Sequence, residues 1–215
     1  MRRALDIIGA LAFSIAFATT VLAEPIKVTI DTTSLSGTGA TLAFDLVDGG
    51  SPGNTVVLSS FTTDGTLGDS STSGGASGSF PGSVTLADTD FFSEYLQSIL
   101  LGTTFSFVFE TTGGAADPGS LPDGFALFIL DALASASLVT TSDPTGADAI
   151  LLNSIGESGA LEVYGASGLT VTVERLNVVA EPGALLLALS ALGLMLSPTP
   201  GTRRPRRART ARAAG

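Results

Sequence analysis

Hydrophobic and polar positions alternate with a period of two along most of the chain between Glu24 and Ala180. Residues two apart on an extended strand share a face, so this pattern predicts strands that turn one face to a core. Ile26, Val28 and Ile30 share a face in the first run. In the second, Ala40, Leu42, Phe44 and Leu46 alternate with Thr41, Ala43, Asp45 and Val47. Thr55 to Thr62 and Val84 to Leu86 continue the β character. Phe105, Phe107 and Phe109 make the clearest face, opposite Thr104, Ser106 and Glu110, and aromatic side chains suit a pleated, half-buried surface. Phe125 to Leu130 is almost wholly apolar, as in a strand covered on both faces. Leu138-Val139, Ile150 to Ile155, Leu161 to Tyr164 and Leu169 to Val173 complete the set.

Two stretches depart from this rhythm. Asp64 to Gly82 is rich in Gly, Ser and Thr and poor in large apolar side chains; it predicts a mobile loop or an edge hairpin. In Asp90 to Leu101, Phe91, Phe92, Tyr95, Leu96, Ile99 and Leu100 fall near helical spacing, with Asp90 placed to cap the start. One or two helical turns and another extended segment fit it equally. Turn clusters such as Asp48 to Gly53 separate the runs. About eight to ten short strands broken by turn signals predict an all-β chain, a single antiparallel β-sandwich or jelly-roll-like domain. The repeated crossover helices that parallel strands need are missing from the pattern.

The two ends read differently. Arg2 and Arg3 precede an apolar, uncharged run from Ile7 to Thr20, and Val21-Leu22-Ala23 supplies the residues a signal peptidase reads. Residues 1–23 are therefore expected to be a secretory signal peptide cleaved after Ala23. At the other end, Ala184 to Leu196 is apolar, and its 13 residues would span about 20 Å as a helix. Extended to Pro182–Gly201 the stretch reaches about the 30 Å of a bilayer core. Arg203, Arg204, Arg206 and Arg207, with Arg209 and Arg212 behind them, would hold the C-terminus in the cytoplasm. Three segments are thus expected: the signal at 1–23, an exported domain at 24–180, and a membrane-anchoring tail with a transmembrane helix at 181–215.

Charge sharpens that division. Lys27 and Arg175 are the only basic residues between Glu24 and Ala180, against eighteen acids, a net −16 compared with −10 for the whole chain. Such a body repels nucleic-acid phosphates and anionic lipid, so neither is an expected partner. Histidine, cysteine and tryptophan are absent from it. That excludes Ser-His-Asp and Cys-His nucleophile systems, His-ligated zinc and disulfides. A carboxylate pair could still do acid–base work, with Asp88, Asp90, Glu94 and Glu110 as the pool. On a surface this acidic, solvated charge is the simpler reading, and no enzyme is expected. Calcium is the one cofactor that the acids suit. Asp88, Asp90 and Glu94 would offer several oxygens from one loop, or else merely form an acidic turn. Sugar stacking has weak support, because Tyr95 and Tyr164 lie in runs that read as packing and the phenylalanines read as core.

The tail, with Ala180-Glu181-Pro182, the apolar span and the arginine cluster, resembles the sorting signal of PEP-CTERM proteins of exopolysaccharide-producing Gram-negative bacteria. The body is similar to a secreted β-rich family in that class through Phe44–Gly49, Phe91–Tyr95, Gly102–Phe107 and Gly124–Phe128. Ala180 stands where the motif has its first proline, and a Ser-Pro-Thr-Pro-Gly-Thr segment separates the span from the arginines. The resemblance implies processing by signal peptidase and then by exosortase, a membrane cysteine transpeptidase. It implies transient inner-membrane anchoring, and then a cell-surface or extracellular location. The expected role is structural or adhesive, linked to exopolysaccharide; the alternative is a calcium-dependent glycan- or protein-binding module.

Overall fold

The computed structural model describes residues 24–50, 53–112, 121–155 and 160–177. Twelve strands lie among them: β1 (Ile26–Asp31), β2 (Gly39–Val47), β3 (Thr55–Thr63), β4 (Thr66–Ser73), β5 (Gly75–Gly78), β6 (Val84–Ala87), β7 (Phe92–Leu100), β8 (Thr104–Thr112), β9 (Asp123–Asp131), β10 (Leu151–Ile155), β11 (Leu161–Val163) and β12 (Thr170–Arg175). They form two six-stranded open sheets. Sheet A runs β12-β1-β8-β3-β6-β5 and sheet B runs β11-β10-β9-β2-β7-β4. Every pairing is antiparallel. The all-β, antiparallel expectation holds.

The period-two faces become the core. Ile26, Val28 and Ile30 of β1 lie opposite Phe109, Phe107 and Phe105 of β8, and all six are buried. On sheet B, Phe44 lies between Tyr95 of β7 and Leu127 of β9. Burying each such side chain removes its apolar surface from water, worth roughly 1.5–3 kcal/mol apiece. The two sheets meet face to face through aromatic rings. Phe44 on sheet B meets Phe107 on sheet A edge-on at 5.2 Å, and Phe125 meets Phe109 at 5.1 Å. Phe80, from the turn after β5, stacks on Phe61 at 4.2 Å and meets Tyr95 edge-on at 5.1 Å.

Three local expectations are settled or changed. Asp90–Leu101 resolves in favour of the extended alternative, as β7. Its inward face is Ser93, Tyr95, Gln97 and Ile99, and the two polar members hide the alternation from a hydrophobic pattern. They are tolerated because they are hydrogen-bonded. Ser93 Oγ donates to Ala87 O (2.7 Å), Tyr95 OH donates to Gln97 Oε1 (2.7 Å), and Gln97 Nε2 donates to Gly68 O (2.9 Å). Asp64–Gly82 forms two edge strands, β4 at the edge of sheet B and β5 at that of sheet A, instead of one hairpin. Leu138-Val139 is not a strand. Leu138 N–H donates to Ile129 O (2.8 Å), and the neighbouring contact is an isolated bridge between Leu130 and Ser137; two apolar residues are too few to extend the ladder.

Among the described residues no helix is long and apolar enough to cross a membrane. The one helical element there is a 3-10 turn at Thr33–Leu35. The signal helix expected at 1–23 and the transmembrane helix expected at 181–215 lie outside the described residues.

Candidate functional site

One face of sheet B packs on sheet A; the other carries the opposite residues of the same strands. Because Phe44 and Leu46 of β2 point into the core, Asp45 and Val47 must point away from it. Gly124, Ala126 and Phe128 of β9 do the same beside them, in register with β2. On this outer face lies an open pocket of about 440 Å³. Val47, Gly124, Ala126 and Leu152 line it with Asp45. Such a pocket, largely apolar with a few polar groups, is the usual form of a small-ligand site.

Two walls frame the pocket. On one side Asp48 N–H donates to Phe91 O (3.0 Å), which holds Phe91 at the rim with 74% of its surface exposed. Leu121 is as exposed as Phe91 and also lines this side. The wall is anchored by buried Asp123, whose carboxylate accepts from Gly49 N (2.8 Å) and Asn54 Nδ2 (2.9 Å). A side chain at position 49 would meet Leu121 O at 2.3 Å, so glycine is required there. The facing wall is the segment around Asp143. Its carboxylate accepts from the amides of Thr145 (2.8 Å) and Ala149 (3.2 Å) and from the Thr145 hydroxyl. Those bonds, led by the Thr145 amide, hold its carboxyl below the usual range. Tyr164, also on this wall, donates to Glu162 Oε2 at 2.5 Å, which pushes the phenol up to about 12.

Asp45 is the unusual group. It lies directly opposite Glu94 of β7 and Ala126 of β9, and cross-strand partners stand about 4.5–5.5 Å apart at Cβ. Its Oδ1 is buried without a hydrogen-bond partner. Burial, and then the negative charge of Glu94, pushes the Asp45 carboxyl up to about 7. Glu94 itself is raised by burial. Both carboxyl groups are partly buried, and each faces the other across the β2–β7 pairing.

The calcium set expected from sequence is not assembled. Asp88 accepts the Asn54 amide at 2.7 Å, while Glu94 lies on β7 opposite Asp45 and Ser73. Among the described residues no three acids gather into a group able to hold a metal ion. Asp90 sits in the turn between them, before β7. Tyr95 and Tyr164 are buried, as expected, but Phe91 is not core. The processing residues Ala23, Ala180, Glu181, Pro182, Arg203, Arg204, Arg206 and Arg207 lie outside the described residues.

Sequence reading passed over Asp45, Asp143 and Phe91 as site residues. The available signal was Asp45 itself, a lone charge inside Ala43-Phe44-Asp45-Leu46-Val47, where both faces are otherwise apolar. No family model, no curated protein and no solved structure matches this chain.

Proposed function

We propose that the chain is an exported structural or adhesive component of an exopolysaccharide matrix, and that the outer face of sheet B is its contact surface. In this reading the protein is a PEP-CTERM-type sorting substrate. Signal peptidase removes residues 1–23, the tail from Glu181 holds the inner membrane transiently, and exosortase passes the body to the cell surface or beyond. The body is a jelly-roll-like binding module with no catalytic role. The strand orders support the jelly-roll-like description in part: β1 with β8, β2 with β7 and β3 with β6 pair as in a rolled-up hairpin of eight strands, while β5 pairs with β6 in place of β4.

The observation that carries the proposal is the pocket, with a wide apolar floor and two large side chains, Phe91 and Leu121, exposed at its rim. Apolar faces of sugar rings dock on surfaces of this kind, and exposed apolar side chains grouped at a pocket mouth mark interaction sites. In this reading the contact does not use calcium.

The test is retention of the purified full-length chain on exopolysaccharide isolated from its own host. The unsubstituted chain should be retained with EDTA present, and Phe91→Ala with Leu121→Ser should reduce retention at least about tenfold, the loss of two buried apolar contacts. Equal retention of both, or none of either, ends this reading.

A further inference from the structure

The pocket's ionisable groups restrict what it can hold. Asp45, Asp48, Asp143 and Tyr164 line it, and no lysine or arginine does among the described residues. Three of the four are engaged locally: Asp48 accepts the Gly50 amide (2.6 Å), Asp143 is bound to Thr145 and Ala149, and Tyr164 donates to Glu162. Asp45 is the exception, with Oδ1 buried and unpaired. Among the described residues the elements around it supply no cation. Glu94 faces it from β7, Ala126 and Phe128 adjoin it from β9, and Asp123 at the start of β9 is committed to Gly49 and Asn54. With Oδ1 closed off and unpaired, the charged carboxylate is poorly solvated, and a cation bound on the side of Asp45 that lines the pocket offsets that cost.

We propose that this pocket binds an amino-sugar unit of a polysaccharide, its ammonium group paired with Asp45 and its ring face laid on Val47, Gly124 and Ala126. The inference rests on the reading that this face contacts polysaccharide, and it names the class. An ammonium brings three donors and a positive charge to a site whose charges are all negative. A uronic acid brings the wrong charge. A neutral sugar brings only hydroxyls, and leaves the Asp45–Glu94 repulsion in place. Gly124 and Ala126 keep the floor low: a side-chain carbon at position 124 would come no nearer than 3.7 Å to any atom, that of Leu152. The strand backbone therefore offers a flat surface on which a ring can lie.

The test is titration calorimetry of the purified full-length chain at pH 6 in two buffers of different ionisation enthalpy. The probes are a glucosamine tetramer, an N-acetylglucosamine tetramer and a galacturonate tetramer. At pH 6 the glucosamine ammonium is charged while a carboxyl with a pKa of about 7 is mostly protonated, so pairing them releases roughly one proton per ligand. The glucosamine tetramer should bind at least about tenfold tighter than the acetylated one, with that proton release, and galacturonate should not bind. Asp45→Asn should abolish both the proton release and the preference, while Phe91→Ala weakens binding and leaves the proton count intact. The proton count on the unsubstituted chain decides even if a variant fails to fold. Equal affinity for the two glucosamine-based tetramers, no proton release, or no binding of either overturns the ammonium assignment. Retention on the matrix polymer through Phe91 and Leu121 would survive each of those results, so the two readings fail separately.

Discussion

A carboxyl group held near neutrality in a folded chain acts on stability as well as on binding. Asp45 titrates at about 7 when folded and near 3.8 when unfolded. Well below pH 3.8 both states hold the proton and the group is neutral in the balance. As pH rises from 4 to 7 the unfolded chain ionises freely while the folded chain does not, so stability falls across that window and is lowest above pH 7. Full expression of that shift would be roughly 4 kcal/mol, an upper bound since part of the side chain reaches solvent. Asp45→Asn should therefore raise the melting temperature at pH 8, by an amount equivalent to about 1–3 kcal/mol, and leave it nearly unchanged at pH 4. Thermal melts of both proteins between pH 4 and 8 measure this. A parallel displacement of the two curves at all pH values would show that ionisation of Asp45 is not the cause. Asp143 works in the opposite sense. Its carboxyl is lowered by the Thr145 and Ala149 bonds, so its contribution is present above its unfolded pKa and is lost as pH falls through the folded one. The sequence shows both residues as acids and gives no hint of this difference. Asp143 is followed at once by Pro144 and Thr145 and closes a local turn; Asp45 is isolated by strand pairing with Glu94, a contact 49 positions away.

The elements were legible where an apolar face repeats. β1, β2, β8 and β12 follow directly from alternation, and β9 from its continuous apolar run. β7 was ambiguous for a physical reason: half of its buried face is polar, and Ser93 and Gln97 reach donors and acceptors that only the folded neighbours supply. β4 and β5 were obscured by composition, since Thr66–Ser73 is exposed almost throughout and an edge strand needs only one paired side. Between them the chain passes from sheet B to sheet A through Gly74, at φ +59°, where a side-chain carbon would lie 2.2 Å from Phe92 O. The crossing is pinned by Gly75 N–H donating to Ser93 Oγ (2.8 Å). Gly74→Ala should destabilise the protein by at least about 2 kcal/mol, from the clash and the left-handed backbone together. Chemical denaturation reads it directly. A change within about 0.5 kcal/mol would mean that the two edge strands can separate from their sheets without loss.

For the molecule as a whole, charge is the least balanced quantity. Eighteen acids against Lys27 and Arg175 leave the segment 24–180 at −16, and among the described residues the ion pair is a single exposed one, Arg175 with Glu24 at 3.9 Å. The all-β class was legible because alternation carries it. The strand order was not, because β1 must find β8 and β2 must find β9 across distances that no local pattern encodes. The core that results, with Phe44, Phe105, Phe107, Phe109 and Phe125 fully buried, stabilises the body against strong self-repulsion. Repulsion of that kind weakens as salt shortens the screening length from about 30 Å at 0.01 M to about 3 Å at 1 M. Raising NaCl from 0.01 to 0.5 M should increase the melting temperature by a few degrees, the equivalent of about 1 kcal/mol for a chain of this size. CaCl2 at matched ionic strength should do no more than NaCl, because among the described residues no three carboxylates converge on one site. An excess stabilisation by millimolar calcium that persists in high NaCl, and that disappears in Asp88→Asn, would restore the acidic turn at Asp88 and Asp90 as a metal site.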